Sequence, residues 1–209
     1  MLIQPTSQIE YTLNHLFNDS KKDQIKILKA LSKSVFRPMQ LLDFKDIYLS
    51  ITKTQGAFLK SLIVENQYKN IVEFGTSFGI STLYLAQGVL ETNGHIITTE
   101  LIETKAKRAV ENFKKAGVEN HIEMRIGDAM EALKGHDKPI DLLFLDGWKD
   151  LYLILFQMLE PNFRSHTLIY VDNANMKASQ VFSNTISKNK TYQMTSKFKG
   201  KVVLIRNKR

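Results

Sequence analysis

The chain has 209 residues, of which 43% are hydrophobic and 24% charged, and it contains no cysteine. That length suits one domain with a full-sized core, and the missing cysteine excludes disulfides, thiolate catalysis, zinc–thiolate centres and iron–sulfur clusters. The formal net charge is +8, but Asn173–Arg209 holds nine of the 29 Lys and Arg and no Asp or Glu, so the other residues set 20 basic against 21 acidic groups. The excess reads either as a solvated surface of scattered lysines or as a patch for an anionic partner. The N-terminus shows no basic start followed by an apolar core, and no apolar run is long enough to span a bilayer, so no membrane role and a cytoplasmic location are expected.

Residues from about 7 to 66 read as helical. Ser20 can cap a helix over Lys21–Leu31 that gathers Ile25, Ile27, Leu28 and Leu31 on one face, Pro38 interrupts it, and a further helix starts near Thr54. After residue 69 short β-rich runs alternate with helices. Strands are predicted at Asn70–Phe74, His95–Glu100, His121–Arg125, Ile140–Leu145 and Thr167–Val171, with helices starting near Ser81, Thr104, Ala129 and Lys149. Such alternation predicts a parallel sheet covered by helices on both faces. A helix around Ala178–Ile186 and two strands near Thr191–Thr195 and Val202–Ile205 follow, the last two as an antiparallel edge pair turned through Lys199-Gly200-Lys201. The fold class is α/β: a Rossmann-like, doubly wound, seven-stranded, mostly parallel sheet with an antiparallel C-terminal edge and an N-terminal helical extension.

Glu73-Phe-Gly75-Thr-Ser77-Phe-Gly79-Ile-Ser81 follows the first strand and opens a helix. Glycine permits a tight turn and close ligand approach, and a helix N-terminus offers free N–H groups to an anion. The spacing is G-x-x-x-G rather than the G-x-G-x-x-G of dinucleotide binders, and Glu73 would repel a pyrophosphate while suiting an ammonium. Glu100 ends the second strand, where a carboxylate can accept both hydroxyls of a ribose. A ligand with a ribose at one end and an amino acid at the other fits S-adenosylmethionine. Asp128, before Ala129, could take an adenine amino group or simply cap the next helix.

Two apolar strands then end in acid: Leu-Leu-Phe-Leu-Asp146-Gly-Trp148-Lys149 and Ile-Tyr-Val-Asp172-Asn173. Two carboxylates and an amide oxygen form a hard-oxygen set suited to Mg²⁺ or another divalent cation. A cation there would lower the pKa of a bound hydroxyl, and Lys149 is placed to take its proton. Trp148 could lie flat on the adenine or be ordinary core. His15, His95, His121, His136 and His166 have no metal-ligand spacing, and no G-x-S-x-G is present.

These residues resemble the class I S-adenosylmethionine-dependent methyltransferases, in the metal-dependent O-methyltransferase group that includes catechol and caffeoyl-coenzyme A O-methyltransferases. The resemblance runs from about Ile51 to Asn173 and is carried by EFGTSFGIS, LDGWKDLY and VDN; LDGWKDLY is close to the catechol enzyme's segment, with Gly147 replacing a histidine. It implies Asp146, Asp172 and Asn173 as ligands of Mg²⁺ and Lys149 as general base. It implies Glu73, Gly75, Ser77 and Ser81 around the methionine part, with Gly79 in the same loop, and Glu100 on the ribose. Asp128, Ala129 and Trp148 would line the adenine, and Ile51 would close over the cofactor. Residues 1–66 would be a helical segment packing on a methyltransferase domain at 67–209. One departure is that no acid follows Asp172, where the catechol enzyme has a further glutamate. It points away from catechol and toward a small hydroxylated acceptor carrying carboxylate or phosphate. A tRNA hydroxyuridine methyltransferase and a non-catalytic cofactor-binding protein are the alternatives, and a homodimer stays open.

Overall fold

The computed structural model describes residues 5–21, 23, 45–48 and 50–208. The helix expected over Lys21–Leu31 and the break at Pro38 lie outside the described residues. Ser20 closes the first helix, α1 (Pro5–Ser20), and its hydroxyl donates to the Phe17 carbonyl at 2.9 Å.

The next helix among the described residues, α2 (Lys53–Asn66), is capped by Thr52. The Thr52 hydroxyl accepts from the Gln55 N–H, and the Gln55 side chain accepts from the Thr52 N–H, a complete capping box. Strand and helix then alternate: β1 (Asn70–Phe74), α3 (Ile80–Thr92), β2 (His95–Glu100), α4 (Glu103–Lys115), β3 (Ile122–Ile126), α5 (Ala129–Ala132), β4 (Ile140–Leu145), α6 (Tyr152–Leu159), β5 (Phe163–Val171), α7 (Lys177–Ser187), β6 (Tyr192–Lys197) and β7 (Val202–Asn207). Several boundaries shift from the sequence reading by a few residues, and two of the shifts bear on the strands. A short 3₁₀ turn takes Glu119–His121, so β3 begins at Ile122, and β5 extends back to Phe163. Pairing beside β4 supports that extension, since Ile140 registers with Phe163.

The strand order is β3-β2-β1-β4-β5-β7-β6, with β7 antiparallel to both of its neighbours and the other pairings parallel. Side chains alternate faces along each strand. Ile71, Ile96, Leu142, Phe144, Leu168 and Tyr170 join one buried core with Leu13 of α1, Leu59 of α2 and Leu83 of α3. Val72, Phe74, Ile97, Leu143, Leu145 and Val171 join another with Leu155 of α6 and Phe182 of α7. Both faces of the central strands are thus covered, which is why their sequences are unbroken apolar runs. Among the described residues no helix is long and apolar enough to cross a membrane.

Strand order reverses between β1 and β4, and ligands of open α/β sheets bind at the carboxyl ends of strands at such a switch point. Register aligns those ends: Phe74 pairs with Thr99 and with Leu145, and Leu145 pairs with Val171. Gly75, Glu100, Asp146 and Asp172 therefore leave the sheet in one row.

Candidate active site at the strand ends

The row begins with the loop after β1. Gly75 has φ +102°, and a Cβ there would lie 2.7 Å from the Gly147 backbone, so the two loops meet with no room for a side chain. Glu73 lies under the first turn of α3 and is fully buried. Its carboxylate accepts from the hydroxyls of Ser81 at 2.5 Å, Thr82 at 2.6 Å and Thr98 at 2.7 Å. Burial pushes its pKa up, and the three hydroxyls oppose that shift. Glu73 and Ser81 are thus each other's partners, tying β1 to α3. The α3 N-terminus itself has Gly79 as its cap and no side-chain cap, unlike boxed α2.

Ser77, at φ +51°, is held from three sides. Its N–H donates to Glu100 at 2.7 Å, its hydroxyl donates to the Tyr48 carbonyl at 2.9 Å, and the Lys105 ammonium donates to that hydroxyl at 3.3 Å. Lys105 is buried and also donates to the Ile47 carbonyl at 2.8 Å, so it clips the 47–48 segment to the loop; its desolvation lowers its pKa. The second Glu100 oxygen accepts from the Ile102 N–H at 2.9 Å, which fixes the carboxylate at the end of β2. Ile51 is buried in the core cluster that contains Tyr48 and Phe78.

Asp128 caps α5, accepting from the Met130 N–H at 2.7 Å, and its side chain is exposed, so the capping reading holds and leaves an oxygen for another donor. Ala129, next in line, is buried. Trp148 is 43% exposed, which excludes ordinary core packing; with exposed Leu101 and Ile126 it adds apolar surface at the ends of β2, β3 and β4.

Asp146 and Asp172 extend adjacent strands. The Lys149 ammonium is 3.2 Å from Asp146 Oδ1, with both side chains almost closed to solvent. Burial first, and then the Asp172 charge, raise Asp146 from 3.8 to about 7, against the opposing pull of Lys149. Asn173 takes the left-handed conformation, φ +53°, where the chain turns off β5. Two mutually repelling acids with an amide beside them match the hard-oxygen donor set of a divalent ion. Among the described residues no group of three or more His, Cys, Asp or Glu could hold a metal, so this set depends on the Asn173 oxygen and on water or ligand oxygens.

The family model for O-methyltransferases matches residues 18–203. The chain belongs to the O-methyltransferase family. Among curated O-methyltransferases, it is 36% identical over 129 residues to a catechol O-methyltransferase of Niastella koreensis, covering 60% of this chain and 58% of that one. The chain thus spans little more than half of that relative's length. A catechol O-methyltransferase of Mycobacterium tuberculosis is 29% identical over 157 residues, 73% of this chain and 71% of its own. Among solved structures, a putative O-methyltransferase from Klebsiella pneumoniae superimposes with a TM-score of 0.68 at 26% identity, covering 77% and 82%. The Bacillus cereus O-methyltransferase in complex with SAH gives 0.68 at 23% identity, covering 91% and 99%. The family's fold is therefore shared over most of the chain.

Sequence reasoning missed Gln55 and Lys201. Gln55 Nε2 donates to Asp172 Oδ1 at 2.6 Å, and the Lys201 ammonium donates to Gln55 Oε1 at 3.0 Å. The Thr52-x-x-Gln55 pattern signals the capping box; nothing local signals that the same amide reaches Asp172.

Proposed function

We propose that the protein transfers the methyl group of S-adenosylmethionine to a hydroxyl of a small aromatic acceptor with vicinal oxygens, using Mg²⁺ or another divalent ion. The observation that carries this reading is the alignment of Asp146 and Asp172 on adjacent strand ends, with Lys149 Nζ 3.2 Å from Asp146 Oδ1, next to the Gly75–Gly79 loop.

The uncapped α3 N-terminus suits the methionine carboxylate. Ser77 and the glycines of the loop let the cofactor backbone approach, while Glu73 and Ser81 shape that loop by holding each other. Glu100, fixed by two N–H groups, suits the ribose hydroxyls. Trp148, Leu101 and Ile126 offer apolar surface to the adenine, and Asp128 a polar contact. Ile51, buried with Phe78, backs the loop from the N-terminal side, and the division adopted is an N-terminal segment at 1–66 and a methyltransferase domain at 67–209.

Asp146, Asp172 and Asn173 would hold the ion, which supplies Lewis-acid polarisation of acceptor oxygens. Lys149, acting as the neutral amine after passing its own proton to solvent, would take the acceptor proton; the freed oxygen would attack the methyl carbon as the carbon–sulfur bond breaks, leaving a thioether. The fixed side chains contribute positioning and electrostatics. The curated relatives named catechol O-methyltransferase support a hydroxylated aromatic. Lysines at 177, 188, 190, 197, 199 and 208 are exposed, which suits a solvated surface, and Lys201 turns toward the site, which suits an acceptor carrying a carboxylate or phosphate.

The test is methyl transfer from labelled S-adenosylmethionine to a panel of dihydroxylated phenols and hydroxybenzoates, with and without EDTA. Turnover that stops in EDTA and returns with Mg²⁺ is expected; full activity in EDTA would sink the metal role.

A further inference from the structure

Lys201 immediately precedes β7, the return strand of the C-terminal hairpin, and its backbone is anchored beside the site: the Ala174 N–H donates to the Lys201 carbonyl at 2.8 Å, and the Lys201 N–H donates to the Phe198 carbonyl at 3.1 Å. Its ammonium lies 3.0 Å from Gln55 Oε1 and 3.9 Å from Asp172 Oδ2.

The Gln55 amide has one orientation. Oε1 accepts from the Thr52 N–H at 3.1 Å, the Thr52 hydroxyl at 3.1 Å and Lys201 at 3.0 Å, and two of these groups can only donate. Nε2 must then face Asp172 Oδ1, which it meets at 2.6 Å. One oxygen of the buried Asp172 carboxylate is occupied by the amide. The other faces the ammonium at 3.9 Å, too far for a hydrogen bond and close enough for strong charge attraction. Asp146 has its own cation in Lys149, at 3.2 Å. Asp146 and Asp172 are therefore each faced by a lysine from the same chain.

We infer that Lys201 is a built-in rival cation at Asp172: it balances that acid in the metal-free protein and weakens its hold on a divalent ion. This rests on the metal reading of Asp146, Asp172 and Asn173 given above. Asp172 would then hold an ion with a fixed positive charge already close to its Oδ2. Because the Lys201 side chain is 32% exposed, solvent screens part of that repulsion. Lys201 is thus a positioning residue that sets metal affinity through Asp172 and Gln55.

The experiment is an equilibrium titration of the full chain with Mn²⁺, with free Mn²⁺ read by electron paramagnetic resonance and without substrate. Lys201→Met removes the charge and keeps the stem. It is expected to tighten Mn²⁺ binding roughly tenfold, the scale of one partly screened charge at this distance, while Lys201→Arg stays near wild type. Lys199→Met, on the exposed side of the same hairpin, should leave the affinity unchanged. Unchanged or weaker binding by Lys201→Met overturns the inference, and circular dichroism checks its fold; if that variant does not fold, Lys201→Gln carries the same expectation. Asp146→Ala separates the two levels. If it abolishes Mn²⁺ binding and Lys201→Met does not tighten it, only the role of Lys201 fails. If wild type binds no Mn²⁺, or Asp146→Ala still binds it, the metal reading fails and this inference with it.

Discussion

Gln55 Nε2 donates to Asp172 Oδ1 at 2.6 Å, across 117 positions of sequence. The same side chain closes the capping box of α2. One amide thus fixes where α2 starts and which way the Asp172 carboxylate faces. Gln55→Leu should lower stability by about 2–3 kcal/mol, the sum of a lost cap and an unsatisfied buried acceptor. Thr52→Ala, which loses only the cap, should cost about 1 kcal/mol. Urea denaturation measures both; equal losses would show that the Asp172 bond contributes nothing.

The raised Asp146 carboxyl makes metal-free stability depend on pH. Its pKa is 3.8 in the unfolded reference and about 7 in the fold, chiefly through burial. The folded chain keeps the proton that the unfolded chain gives up. The stability this supplies is complete below the unfolded value and is lost as pH rises through about 7. In EDTA, urea midpoints should therefore fall across that window, and Asp146→Asn should flatten the slope.

Lys149→Met tests the general base. Removing a positioned proton acceptor typically costs about 10²–10⁴-fold in rate. The expected result is a kcat loss in that range with S-adenosylmethionine affinity, measured by calorimetry, nearly unchanged. A loss of cofactor affinity instead would assign Lys149 to binding.

Trp148 is 43% exposed and follows Gly147, whose backbone abuts Gly75. Trp148→Ala should weaken S-adenosylmethionine binding by about tenfold, the scale of one aromatic stacking partner, with little effect on urea midpoints because the ring is not core. A large stability loss would contradict that placement.

Gly147 departs from the histidine of the catechol enzyme's segment, and the fold supplies a reason. A Cβ at Gly147 would lie 2.6 Å from the Phe74 ring. Gly147→Ala should cost about 1–3 kcal/mol by overpacking, and Phe74→Leu in the same chain should recover part of it. A double-mutant cycle with no coupling between the two positions would rule this out.

The alternation of apolar runs with helices and the acids ending those runs were legible because both are local. Strand period, helix spacing and turn residues act over a few positions, and buried parallel strands announce themselves as unbroken apolar segments. Asp146, Lys149, Asp172 and Glu100 stood out for the same reason, each placed at an element's end. What Glu73 touches was not legible, since its three hydroxyl partners come from α3 and β2 and depend on packing. The basic tail was legible as a charge excess, but not that Lys201 alone of its lysines turns to Asp172 while its neighbours face solvent.

The sequence by itself determined the sheet's strands, the antiparallel edge and the residues that end the central strands, because hydrophobic periodicity and chain chirality act wherever those residues lie. Only the tertiary structure decided which charges meet. Register set Asp146 beside Asp172, the hairpin carried Lys201 to 3.9 Å from that acid, and α2 delivered Gln55 between them. Such pairings join residues far apart in the chain, and their energies arise only once burial removes the water that would otherwise screen them.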